Sequence, residues 1–242
     1  VKGSNPRPKT LAIIVAAGAG LRFGGKKQFA ELAGKPILAH SASAILSHPW
    51  IAFGVILVLE EDVARTEREI VKPHLEDFSI PIEVVAGGVL RQDSVVVGLG
   101  YADRCDPQLV VIHDGVRPLV EASAVNSCLR SAQQHGAATV AALATDTIKQ
   151  SVNENFVEGT LDRSRIWLVQ TPQAFRREVI IEAHRRAAEE GIEVTDDCML
   201  VERYQLSSVA LVDGGRFNIK ITEPMDVAIA EAVISYQSGK SP

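Results

Sequence analysis

Short runs of aliphatic and β-branched residues alternate with amphipathic stretches along most of this 242-residue chain. The runs at 11–17 (LAIIVAA), 54–59 (GVILVL), 82–86 (IEVVA), 109–113 (LVVIH) and 137–143 (AATVAAL) are apolar with at most one polar residue each, as strands buried on both faces are. Helical spacing between them predicts helices over about 37–47, 61–74, 92–103 and 121–135. The alternation predicts an α/β fold: a mostly parallel sheet with helices on both faces, binding its ligand beyond the carboxyl ends of the strands.

The rhythm breaks after Ala144. Residues 145–165, TDTIKQSVNENFVEGTLDRSR, alternate polar with apolar around Asn153-Glu154-Asn155, which predicts an exposed two-stranded arm in place of a crossover helix. A lone hairpin is marginally stable, so the arm is expected to dock on another subunit. A strand near 166–170, a Thr171-Pro172-Gln173 turn, a helix over 176–190 and a helix cap at Thr195-Asp196-Asp197 follow. The chain closes with a strand at 208–212, an extended Asn218–Thr222 segment and a helix from Glu223.

Composition narrows the class. With 46% hydrophobic and 23% charged residues, the chain reads as one globular domain over 11–236, with a flexible leader at 1–10 and a tail at 237–242. A net charge of −5 argues against a general nucleic-acid binder. Leu11–Leu21 is too short to span a bilayer, and VKGSNPRPKT lacks the apolar core of a signal peptide. Cys105, Cys128 and Cys198 are odd in number and widely spaced, as expected of reduced thiols in the cytoplasm.

The densest chemistry lies in IIVAAGAGLRFGGKKQ, residues 13–28, where a buried strand opens into a glycine-rich loop carrying Arg22, Lys26 and Lys27. Glycines let backbone N–H groups approach phosphate oxygens, and fixed cations balance the charge of a phosphoryl group under attack. Gly18, Gly20 and Gly24 are spaced one residue too widely for a dinucleotide fingerprint. Gly20 to Lys26 fits G-x-x-x-x-G-K, but Lys27 follows where a Walker loop has Ser or Thr. The plain alternative is a strand-to-helix turn with a solvated basic face.

Two more strand ends carry polar residues: Gly87-Gly88 with Arg91 and Ser94, and His113-Asp114-Gly115 with Arg117-Pro118. Taken singly, His113 reads as a structural histidine, Asp114 as a turn cap, Arg163 and Lys220 as surface charges, and Asp196 and Asp197 as caps. No H-x-x-x-H pair or G-x-S-x-G occurs, which leaves zinc hydrolysis and serine acyl transfer without support.

In order and spacing together, AAGAGLRFGGKKQF, GGVLRQDSV, HDGVRP, DTIK, LDR ending at Arg163, QTPQAF, TDD and NIKITEP resemble the 2-C-methyl-D-erythritol 4-phosphate cytidylyltransferase family, from about Leu11 to Ile234. The resemblance implies a three-layer Rossmann-like nucleotidyltransferase fold, a homodimer joined through the arm, CTP and a polyol phosphate as substrates, and Mg2+. It implies that Ala16, Ala17 and Gly18 line the nucleotide site, that Gly88, Arg91 and Ser94 sit beside cytosine, and that Gly115 sits on the ribose side. Arg22 and Lys27 fall on the pair that stabilises the transition state. Asp114 falls on the metal and substrate edge. Thr147, Arg163, Thr171 and Lys220 fall on positions that hold the polyol phosphate, with Thr147 and Arg163 serving the neighbouring subunit. Val89 and Leu90 stand where the family is more polar, leaving contacts with the base to the backbone. A cytidylyltransferase for another polyol phosphate, such as ribitol 5-phosphate, is the nearest alternative; an NAD-linked oxidoreductase and a nucleotide sensor without turnover are more distant ones.

Overall fold

The computed structural model describes residues 7–18 and 20–239. Strand β1 (Thr10–Val15) leads through the glycine-rich loop to a small hairpin, β2 (Glu31–Leu32) and β3 (Lys35–Pro36), and then to α1 (Ile37–Leu46) and β4 (Ile51–Val58). Helix α2 (Val63–Thr66) runs through a π turn at Glu67–Val71 into α3 (Lys72–His74), followed by β5 (Ile82–Ala86) and α4 (Arg91–Leu99). Next come β6 (Leu109–Asp114), α5 (Ala122–His135) and β7 (Gly136–Leu143), and after these the arm, β8 (Lys149–Asn153) and β9 (Phe156–Thr160). The chain returns as β10 (Trp167–Arg176), then α6 (Arg177–Glu190), α7 (Asp197–Arg203), β11 (Ser208–Asp213) and α8 (Pro224–Gln237).

Seven strands form one sheet in the order β11-β7-β10-β6-β1-β4-β5, parallel except for β10. Alternate residues of each strand supply opposite cores. Ala12 and Ile14 pack with Leu38 and Ala42 of α1 and with Val125 and Leu129 of α5. Leu11 and Ile13 face the other way, with Val95 of α4, Ile180 and Ala183 of α6 and Leu200 of α7. Burial on both faces explains why these strands read as apolar runs. A third cluster seats α8 against the β2–β3 hairpin through Leu32, Ile37, Ile221, Ala230 and Val233.

Two expectations, the turn and the leader, need correction. The Thr171-Pro172-Gln173 turn lies inside β10, where the pairing with β7 shifts register between Val169 and Gln173. Proline has no N–H for the ladder and is accommodated at that irregularity. The Asn218–Thr222 segment runs outside any strand, and one backbone bond, from Ile221 N–H to the Val116 carbonyl at 2.9 Å, holds it along the site. Of the leader, residues 1–6 lie outside the described residues, while Lys9 donates its N–H to Gln108 Oε1 and Thr10 already belongs to β1. The arm is present as an antiparallel pair, and only Gly159 among its strand residues is not fully exposed.

Candidate active site

The carboxyl ends of β1, β5 and β6 open into a cleft of about 460 Å3 lined by Ala16, Ala17, Gly18, Arg22, Lys27, Gly88, Arg91, Ser94, Asp114 and Lys220. It lies where β6 and β4 flank β1 on opposite sides, the crevice at which open α/β sheets take up ligands. A second hollow of about 270 Å3 adjoins it and shares Arg91, Asp114 and Lys220; Arg117, Thr171, Gln173 and Asp196 complete its wall.

The glycine-rich loop is shaped by local geometry. Gly20 adopts φ +68, which a side chain would resist, and precedes a 3-10 turn at Leu21–Phe23. A second 3-10 turn, Lys27–Phe29, follows, and here the two adjacent lysines part company. Lys26 is neutralised: its Nζ lies 2.5 Å from Asp62 Oδ1 and 3.3 Å from Glu61 Oε1, which pins the loop to the start of α2. Lys27 is half-buried and forms no ion pair among the described residues. Burial, with the charges of Lys220 and Arg22 nearby, holds its ammonium below the usual lysine range. A concentration of cations that the protein leaves uncompensated is a seat for a polyanion.

Opposite stands Asp114, buried at the end of β6. Lys220 Nζ lies 2.9 Å from its Oδ2 and Arg117 Nε 3.4 Å from the same oxygen, while Arg91 Nε lies 3.5 Å from Oδ1. Burial alone raises a carboxyl pKa; here Lys220, Arg91 and Arg117 outweigh it and hold Asp114 well below the carboxylate range. Neighbouring His113 is fully buried, and desolvation pushes it down to about 4. Its ring bonds to the Arg117 carbonyl at 3.1 Å and to Thr171 Oγ1 at 3.0 Å, a structural role.

Several expected ligand contacts have other partners in the fold. The Thr171 hydroxyl accepts the Asp114 N–H at 3.0 Å and donates to His113 Nδ1, so it sets the strand edge. Ser94 Oγ accepts the Gly88 N–H at 3.1 Å and donates to the Leu90 carbonyl, shaping the loop that forms one lip. At Gly115 an added Cβ would stand 2.8 Å from both Ala16 and Leu38, so glycine there permits close approach of β1, β6 and α1. Thr147 and Arg163 lie on the arm and line neither hollow; Arg163 Nη1 donates to the Thr145 carbonyl at 2.5 Å.

Asp196 caps α7 by accepting the Cys198 N–H. Asp197, expected only as a cap, instead pairs with Arg91 at 2.6 Å. Sequence spacing carried no signal for that pair, since 106 residues separate the partners.

A model of the 2-C-methyl-D-erythritol 4-phosphate cytidylyltransferase family matches residues 10–236. Proteins of that name from Dehalococcoides mccartyi and Desulforamulus reducens are 43% and 41% identical to this chain; each alignment covers 93% of it, and 96% and 95% of the respective relative. The crystal structure of 4-diphosphocytidyl-2C-methyl-D-erythritol synthase from Anaerococcus prevotii superposes with a TM-score of 0.81 at 29% identity, over 94% of this chain and 99% of that one. The cytidylyltransferase from Thermus thermophilus superposes with a TM-score of 0.70 at 30% identity, over 92% and 97%. On the strength of this near full-length match, the chain belongs to the 2-C-methyl-D-erythritol 4-phosphate cytidylyltransferase family.

Proposed function

We propose that the chain transfers a cytidylyl group from CTP to 2-C-methyl-D-erythritol 4-phosphate, releasing 4-diphosphocytidyl-2-C-methyl-D-erythritol and pyrophosphate for isoprenoid precursor synthesis. The observation that carries this reading is the juxtaposition of Lys27 and Arg22, neither in an ion pair among the described residues, with the Lys220–Asp114 pair across one cleft. The larger hollow takes CTP, its triphosphate against the glycine-rich loop; the adjoining one takes the polyol phosphate.

The reaction joins two anions. A phosphate oxygen of the polyol attacks the α-phosphorus in line, a P–O bond forms, and the bond to pyrophosphate breaks with its electron pair. The nucleophile arrives ionised, so no general base is needed, in keeping with a His113 that is buried and bonded inside the fold. Catalysis is then positioning and charge compensation. Lys27 and Arg22 face the charge that grows on the α-phosphoryl oxygens. Lys220, anchored by Asp114, draws in the incoming phosphate.

Magnesium fits this donor set as a nucleotide-borne ion, which needs one or two carboxylates besides phosphate oxygens. Asp114 would supply one; its Oδ1 has only the long contact with Arg91, at 3.5 Å, to give up. Bound there, the ion would neutralise phosphate charge.

The arm completes the proposal. Val152, Phe156 and Val157 leave exposed apolar surface on the arm that a two-fold partner covers reciprocally, bringing Thr147 and Arg163 to the neighbour's polyol site. No helix among the described residues is long and apolar enough to cross a membrane, and the three free thiols suit the cytoplasm.

The test is a pyrophosphate-release panel of polyol phosphates against the four nucleoside triphosphates. CTP with methylerythritol phosphate is expected to give the highest kcat/KM. A higher value for ribitol 5-phosphate, or for another triphosphate, overturns the assignment.

A further inference from the structure

Behind the cleft wall runs a buried polar chain whose rear members, Asp197 and His184, the reaction just described does not use. Asp197, the first residue of α7, is fully buried, and both its oxygens are engaged. Oδ2 accepts from Arg91 Nη1 at 2.6 Å, and Oδ1 accepts from His184 Nε2 at 3.0 Å. His184, on α6, is itself buried, and its Nδ1 has no partner among the described residues. Arg91, the first residue of α4, carries the chain forward to Asp114, its Nε 3.5 Å from Oδ1. Three helices and a strand are thus joined through one guanidinium at the seam of the two hollows.

The chemistry gives this arrangement a direction. An arginine stem is flexible and the contact with Asp114 is long, so without a second anchor the guanidinium would swing onto an incoming phosphate. A buried carboxylate is costly unless paired and hydrogen-bonded, and Asp197 meets that cost with two donors of fixed geometry. His184 sets the carboxylate plane, and the carboxylate sets the guanidinium.

We propose that Asp197, oriented by His184, is a positioning residue that holds Arg91 in place as part of the nucleotide seat. Neither touches substrate; both act through Arg91. This rests on the reading of the larger hollow as the CTP site, and the variants separate the two claims.

The experiment measures steady-state KM for each substrate, and Kd for CTP by calorimetry, in the full-length enzyme. Arg91→Ala and Asp197→Asn are each expected to weaken CTP by about ten-fold or more, the size of a one-to-two kcal/mol coupling between contacting residues. KM for the polyol phosphate, whose hollow Arg91 also borders, changes less than the affinity for CTP, a split that general loosening of the fold would not give. In the double variant the second substitution adds nothing to the loss of CTP affinity, because both act through one group.

An unchanged CTP affinity in folded Asp197→Asn, with Arg91→Ala impaired, overturns this inference alone. Unchanged affinity in Arg91→Ala overturns the nucleotide-seat reading and this inference with it. Fully additive losses in the double variant also overturn it. If Asp197→Asn fails to fold, His184→Ala approaches the same carboxylate from behind. It is expected to weaken CTP, and His184→Gln, which keeps a donor near the Nε2 position, to recover at least half of that loss. Wild-type CTP affinity in His184→Ala would then refute the inference.

Discussion

Replacing Lys27 and Lys26 one at a time tests whether charge compensation at the glycine-rich loop drives the reaction. The two lysines are adjacent, yet Lys26 is spent on Asp62 and Glu61 while Lys27, beside Lys220 and Arg22, has no ion pair among the described residues. At an effective dielectric near 20, a full charge about 4 Å from Lys27 is worth about 4 kcal/mol. That is a ceiling, since only part of a charge develops at the transferring phosphoryl group. Loss of one preorganised donor elsewhere costs about 2.7–4 kcal/mol, so Lys27→Ala is expected to lower kcat by about 100-fold to 1,000-fold.

Lys26→Ala, which removes two ion pairs but no group that lines the cleft, is expected to lower it by less than about ten-fold. Pyrophosphate release at saturating CTP and polyol phosphate measures both. A second readout follows from the depressed ammonium. Between its folded pKa and the ordinary lysine value the unfolded chain binds more protons, so this group makes the protein more stable as pH rises through that window. Charged Lys27 therefore costs stability at neutral pH, and Lys27→Met is expected to melt no lower than wild type. A larger loss of kcat in Lys26→Ala than in Lys27→Ala would refute the reasoning.

Two further outcomes are expected. Asp114→Asn leaves Lys220, Arg91 and Arg117 around a neutral amide, which costs about 3 kcal/mol as for one stripped partner of a buried ion pair, or roughly 6–12 °C in Tm. Because the Asp114 pKa is lowered in the fold, its contribution is present above the ordinary carboxylate range and fades below it, so the melting gap between variant and wild type should shrink below about pH 4; a gap that widens in acid refutes this. Mixing inactive Arg22→Ala with inactive Arg163→Ala should restore up to about a quarter of wild-type activity through heterodimers with one intact site. No recovery despite demonstrated subunit exchange places Arg163 in its own chain's site.

What the sequence made legible was whatever local pattern controls. Buried strands announced themselves as apolar runs, and the arm as polar alternation without a helical period. The glycine-rich loop was visible as phosphate chemistry, but the roles of Lys26 and Lys27 were not separable there, because the difference is made by Asp62, 36 residues away. Pro172 suggested a turn because proline usually interrupts a ladder; the sheet absorbs it by a shift of register. Asn218–Thr222 alternates like a strand but has no strand beside it. The Asp197–Arg91 pair was hidden for the same reason as the Asp62 contact: tertiary folding, and nothing in local spacing, brings α7 against α4.

The two strands at the base of the arm are already paired to each other. Trp167 lies opposite Leu143, and Ala144 N–H reaches the Ile166 carbonyl at 2.9 Å, so β7 and β10 form a hairpin whose excursion is the whole of 145–165. The ladder brings those ends together, and within the excursion the Arg163–Thr145 bond and the β8–β9 pairing continue it. Shortening the excursion to a tight turn changes its closure entropy only logarithmically, by about 1.5 kcal/mol. Evolution can therefore lengthen, trim or recompose this segment to suit whatever surface it meets, while the sheet that carries the chemistry registers almost none of the change.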